Sequence, residues 1–394
     1  MDNANASIKR IDWVDIYKSF AIVLMVLGHA TGLFNSMIYQ FHMAAFFFIS
    51  GFTAKLENKS FVEVFINKFF TILLPLFFIA TIGIFSNVIL NSFGVYEQTF
   101  DLPYVGYDAF RLYLADGSLY VQWMGACWFL PVIFGIFLIH RILVKCSGEK
   151  ANLFYLFLSF VLFGLGYFFV NNHLRVNISF FPIDLILIGQ FYFALGNFMA
   201  HVKKPKFIEN GDYKTILIEV IGLLVTLLIM DVIKDKPSVT VDYPDRRFLN
   251  LFVNLLASIN GITFLYCLSK LVELIPQKFR AWFSYLGKNT LGILIFHFLF
   301  FKLFFIILAA TGAITPEQVL PSVPTYELNN SLYPVLVISS IGLSLLLFFV
   351  LTIIPGIKFL MGADKKIYKL ISAKVNGWIS SAKERFNKKF VEKN

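Results

Sequence analysis

The sequence predicts an all-α integral membrane protein with about ten transmembrane helices and both termini in the cytoplasm. Three observations carry that expectation. Hydrophobic residues make up 58% of the 394-residue chain and charged residues 15%, against roughly 45–50% and about 25% in soluble domains. Apolar runs near the ~20 residues that cross a bilayer recur from end to end. Lys and Arg collect in alternate connections, the pattern that orients membrane proteins. With a mean hydropathy of +0.73 and 48 phenylalanines, the two or three soluble domains that the length alone would suggest are excluded.

The expected spans lie at about 13–34, 37–54, 69–90, 126–144, 153–170, 182–200, 215–233, 248–270, 289–310 and 333–360. Lys9 and Arg10 lead into a run too long for a signal-peptide core, so the first helix is expected to stay and act as its own insertion signal. Lys55, Lys59, Lys68, Arg141, Lys145, Lys150, Lys203, Lys204, Lys206, Lys214, Lys270, Lys278, Arg280 and Lys288 fall on the side of the termini. The opposite connections hold Arg111, Arg175, Lys234, Lys236, Arg246 and Arg247, several beside Asp. This asymmetry explains the net charge of +10 without a nucleic-acid partner. Cys127, Cys146 and Cys267 lie in or beside apolar runs without ligand spacing, and the six histidines form no i,i+4 pair, so neither disulfides nor a metal is expected.

On the outer side, 91–125 is far longer than a turn. Tyr96, Tyr104, Tyr107, Tyr113, Tyr120 and Trp123 stand there among Glu97, Asp101, Asp108 and Asp116. Rings beside carboxylates suit a sugar, and equally suit an interfacial aromatic belt. The polar, Pro-containing segments 234–247 and 311–331 are expected to complete a lid over the same mouth. No fixed-period repeat and no paired Gly/Pro-broken helices point to an inverted-repeat transporter. A polytopic domain over 1–362 is followed by a basic tail, 363–394. In it Ile367, Leu370, Ile371 and Trp378 share a helical face, so it is read as lying on the anionic inner leaflet or as simply solvated.

The first two runs carry the chemistry. Asp15, Lys18, His29 and His42 sit inside otherwise apolar helices joined by a short turn, where ionisable groups are costly and point to function. Lys18 and His29 share one helix face about 16 Å apart along the axis, and the hairpin brings both histidines to a similar depth. The pattern Asp15-x-x-Lys18, His29, Phe41-His42-Met43 and Phe47-Phe48-Ile49-Ser50-Gly51 resembles the opening of the acyltransferase-3 family of polytopic membrane acyltransferases, most of all its fucose O-acetylase-like branch. Leu74-Pro75, Trp128-Phe129-Leu130 and Leu286-Gly287-Lys288-Asn289-Thr290-Leu291 leading to His297 extend the likeness over about 11–360.

The resemblance implies a membrane O-acetyltransferase that moves an acetyl group from acetyl-CoA to a sugar hydroxyl of a surface polysaccharide or its lipid-linked precursor, in a bacterial inner membrane. It implies a catalytic role for His29, whose neutral imidazole suits removal of the hydroxyl proton. The bland reading is a buried histidine bonded to a neighbouring helix. His42 could orient His29, bind the acceptor hydroxyl or cap a helix. Lys18, supported by Asp15 at i−3, is placed to bind the anionic donor or to snorkel to the headgroups. Most relatives carry arginine there, so bidentate phosphate gripping is not expected. Lys68 matches part of a basic cluster in relatives, but Phe69 and Phe70 stand where further cations would be. Trp128, Asn260 and His297 are candidate cavity-lining groups, or core packing and interhelical hydrogen bonds. A transporter or flippase for a glycolipid is the alternative from another class, and a non-catalytic scaffold a third.

Overall fold

The computed structural model describes residues 12–96, 122–148, 152–178, 181–202, 213–321 and 326–364, with most positions from 366 to 381. In chain order the helices are α1 (Asp12–Ala30), α2 (Asn35–Ile38), α3 (His42–Phe52) and α4 (Phe61–Lys68), which runs through a π-helical segment (Phe69–Leu73) into α5 (Leu74–Ser92). Then come α6 (Phe129–Ser147), α7 (Asn152–Asn171), α8 (Ile183–His201), α9 (Tyr213–Ile233), α10 (Leu251–Val272), α11 (Gln277–Lys288), α12 (Thr290–Ala310), α13 (Tyr326–Ile353) and α14 (Pro355–Leu360). Among the described residues nine helices are long and apolar enough to cross a membrane.

The expected second span is not a spanning helix. Over 37–54 the structure has a turn at 39–41 followed by α3, a helix of 11 residues, about 16 Å long against the ~30 Å of a bilayer core. The break is possible because α3 is buried along almost its whole length, and irregular backbone at membrane depth is tolerated only inside protein. The carbonyls of the turn are satisfied from other elements. Val241 N donates to Tyr39 O at 3.0 Å and Ser258 Oγ to Gln40 O at 2.9 Å.

The third span starts earlier than the apolar pattern indicates. Ser60 caps α4, its hydroxyl accepting from Glu63 N at 3.1 Å, so Glu63 and Lys68 lie on a helix rather than in a loop. The π segment just ahead of Pro75 is where the helix absorbs the donor that proline lacks. At the far end, the expected run 333–360 stops at Ile353, and Pro355 opens the short α14.

α1 is the hub of the bundle, packed against α3, α10, α11, α12 and α13. Two-thirds of its apolar window (67%) is buried, against 17% for the peripheral α9. Within lipid no hydrophobic force presses helices together, so close approach of backbones is what holds them. Several glycines provide it, Gly51 and Gly287 among them. A Cβ on Gly51 would lie 1.9 Å from the Phe193 carbonyl oxygen, which seats α3 on α8, and one on Gly287 would lie 1.9 Å from the Asp15 oxygen, which seats α11 on α1. Both glycines belong to the motifs singled out above, and packing accounts for them.

Most of the aromatic loop at 91–125, namely 97–121, falls outside the described residues. Its edges are fixed: Trp123 Nε1 donates to Ser86 Oγ at 3.1 Å, and the Tyr96 ring lies 4.2 Å from Lys302 Nζ. Of the tail, every described position from 366 to 381 is helical, with Tyr368 buried against Phe70 and Phe359 and with Leu370 and Trp378 exposed.

Candidate functional site

The last turn of α1, the break before α3 and one face of α12 converge on a cavity of about 250 Å³. Met25, His29, Tyr39, His42, Met43, Phe46, Trp128, Leu294 and Phe298 line it, together with Asp242, Tyr243 and Asp245 from the connection between α9 and α10. His29 and His42, thirteen positions apart in the chain, thus share one wall.

Tyr39 stands between them. Its hydroxyl lies 3.4 Å from His29 Nδ1, and its ring centroid is 4.8 Å from that of His42. Behind His29, the His297 ring stacks at 5.6 Å and 23° and Phe298 lies at 5.0 Å. His42 is oriented by the backbone instead: Nδ1 is 3.1 Å from the carbonyl oxygen of Ile38. A carbonyl only accepts, so Nδ1 carries the proton and Nε2 is left with its lone pair. His297 is held the same way, Nδ1 to Ile293 O at 2.9 Å, but its Nε2 is buried without a partner. It backs the site and does not line the cavity.

Among the other residues singled out from the sequence, Trp128 lines the cavity and stacks on Tyr243, centroids 5.9 Å apart and planes 15° apart. Asn260 lies elsewhere: Nδ2 donates to the Thr226 carbonyl at 3.0 Å and joins α10 to α9. Lys18 is half-buried on α1 outside the cavity wall. Asp15 is buried and accepts from Ser284 Oγ at 3.2 Å. Lys68 sits 3.5 Å above the Phe137 ring, in electrostatic reach of Lys59 and Lys18. The structure therefore gathers the histidines in one place and leaves Lys18 and Lys68 away from that cavity. No group of His, Cys, Asp and Glu fit to hold a metal ion occurs among the described residues.

Sequence reasoning missed Tyr39, Asp242, Tyr243 and Asp245. Tyr39 lay within the expected span 37–54, which in the structure breaks at that residue. The signal for the others was Asp-Tyr-Pro-Asp-Arg-Arg at 242–247, a turn with both charge signs inside a segment read only as a lid. It also missed two buried ion sites. Asp184, at the start of α8, is fully buried and paired with Arg246, which adds a bond to Asn177 Oδ1 at 3.2 Å. Lys302, in the middle of α12, donates to the carbonyls of Val319 (2.5 Å) and Pro321 (2.7 Å).

A bundle of spanning helices around a cavity with two imidazoles on its wall defines a polytopic membrane protein. A family model described as an acyltransferase domain matches residues 11–352, and the chain belongs to the acyltransferase-3 family. It is a multi-pass membrane acyltransferase. Comparison with curated proteins found no match, and neither did comparison with solved structures.

Proposed function

We propose that the protein transfers an acetyl group from acetyl-CoA to a sugar hydroxyl of a surface polysaccharide or its lipid-linked precursor, in a bacterial inner membrane. The observation that carries this reading is the placement of His29 and His42 on one cavity with Tyr39 between them. In the reaction the acceptor oxygen attacks the thioester carbonyl carbon, a C–O bond forms and the C–S bond breaks. The hydroxyl proton passes to an imidazole nitrogen, which returns it to the departing thiolate. General-base help of this kind contributes roughly 10²–10⁴-fold.

His29 is assigned as the base. Its Nε2 has no hydrogen-bond partner among the described residues, and Tyr39, His297 and Phe298 fix the ring from the other sides. The locked tautomer of His42, with Nε2 unprotonated, favours a second reading in which His42 takes the proton and His29 donates to the developing oxyanion.

The donor is read as entering beside Lys18. About 16 Å of helix separates Lys18 from His29, a distance that an extended pantetheine arm can cover while its anionic nucleotide stays with Lys18, Lys68 and Lys59. Asp15 positions that end of α1 through Ser284. Direct transfer needs one base and no covalent intermediate. The test is purified protein with labelled acetyl-CoA and neutral glycosides: transfer supports the reading, whereas a transporter would neither transfer nor hydrolyse the donor.

A further inference from the structure

The wall of the cavity holds a second set of groups that proton transfer does not use. Trp128 and Tyr243 form a stacked pair, and Tyr243 is braced edge-on by Phe47 at 5.7 Å and Phe248 at 4.9 Å. Burial pushes the Tyr243 phenol well above its ordinary pKa, so it remains a neutral hydroxyl. The indole N–H of Trp128 has no partner among the described residues, although the side chain is only partly covered.

Beside these rings lie Asp242 and Asp245. Arg247 Nη2 donates to Asp242 Oδ2 at 2.7 Å and to Asp245 Oδ2 at 2.9 Å. One guanidinium thus serves two carboxylates, each with lone pairs left over, and one negative charge remains uncompensated. The turn that carries them is fixed in both directions, Asp242 N to Arg247 O at 3.2 Å and Arg247 N to Asp242 O at 2.9 Å. The residue before it, Val241, is bonded to Tyr39, so the turn is registered on the residue that stands between the histidines. Arg246 ties the same turn down to buried Asp184.

We infer that Trp128, Tyr243, Asp242 and Asp245 are the acceptor-recognition subsite, built for a single hydroxyl-rich ring that carries no acid group. The inference rests on the sugar-acceptor reading above and adds which residues choose the sugar and what charge they admit. Carboxylates accept strong hydrogen bonds from hydroxyls and ammonium groups. An aromatic face suits the C–H side of a pyranose, and the indole N–H is left to donate to a ring substituent. A cavity of about 250 Å³ is smaller than the ~300–1,000 Å³ of typical ligand pockets, which suits one ring rather than an oligosaccharide. A uronic acid would bring a second anion against the uncompensated carboxylate charge.

The test uses the full chain in lipid nanodiscs without acyl donor, read by saturation-transfer NMR with methyl glucoside, methyl glucosaminide and methyl glucuronide as probes. The first two are expected to receive saturation at their ring C–H protons, with the glucuronide binding about fivefold to tenfold more weakly. Trp128→Ala should weaken the glucoside about fivefold to tenfold, and Trp128→Phe should retain much of the binding. Asp242→Asn with Asp245→Asn should erase the difference between glucoside and glucuronide. Glucuronide binding as tight as glucoside, binding indifferent to Trp128→Ala in protein that remains monodisperse, or no contact with any glycoside would overturn the assignment. Because no donor is present, absence of acetyl transfer in a parallel assay counts against the acetyltransferase reading alone, whereas transfer without these binding effects counts against the subsite alone.

Discussion

His42 directs Nδ1 at the carbonyl oxygen of Ile38, 3.1 Å away, while His29 on the same cavity meets the hydroxyl of Tyr39 at 3.4 Å. One imidazole is oriented by backbone and the other by a side chain. That difference makes their roles separable by mutation.

His29→Ala should lower acetyl transfer about 10²–10⁴-fold with little change in the donor KM. Tyr39→Phe, which removes only the hydroxyl, should cost less than His29→Ala and act on kcat. Radiolabel transfer by wild type and the three variants, His42→Ala included, ranks the assignments. A larger loss in His42→Ala than in His29→Ala would move the base to His42.

Lys18→Ala should raise the donor KM more than it lowers kcat, since a cation remote from the reacting carbon supplies uniform binding. Lys18→Arg should keep most activity, because it preserves the charge. Steady-state kinetics with an unchanged donor KM in Lys18→Ala would remove Lys18 from the donor site.

Gly287→Ala should destabilise the protein by about 1–3 kcal/mol through overpacking, because the new methyl would meet the Asp15 carbonyl at 1.9 Å. Gly342→Ala, at a position with nothing within 4 Å, is the matched control. Thermal unfolding in detergent should separate the two, and equal midpoints would show that α11 can shift away from α1 without loss.

Arg246→Ala should leave the carboxylate of Asp184 buried without its cation, at a cost of about 3–5 kcal/mol. Asp184→Asn combined with Arg246→Ala should recover part of that loss. The double-mutant cycle measured by thermal unfolding tests the coupling, and strictly additive effects would show that the pair contributes nothing.

Lys302→Met should loosen the end of the bundle that carries 314–321, since Val319 and Pro321 lose the ammonium to which their carbonyls are bonded. Hydrogen exchange should rise across 314–321 and stay unchanged in α8. Unaltered exchange in 314–321 would assign that segment's order to other contacts.

The sequence by itself determined the class of protein, the approximate position of nearly every span and the candidacy of His29 and His42. These follow from local quantities: the length of an apolar run, and the cost of an ionisable group within one. It could not show that the run 37–54 breaks at Tyr39, because a broken and a continuous helix have the same hydropathy and the choice depends on whether protein or lipid surrounds the turn. It placed His29 and Lys18 on one helix correctly, since a helical rise is fixed. It could not bring Asp242, Tyr243 and Asp245 to His29, more than two hundred positions away in the chain. Nor could it tell Asn260, spent on the Thr226 carbonyl, from Trp128, which faces the cavity. Which polar side chains face a site and which merely join helices is decided by long-range packing, and only the tertiary structure contains it.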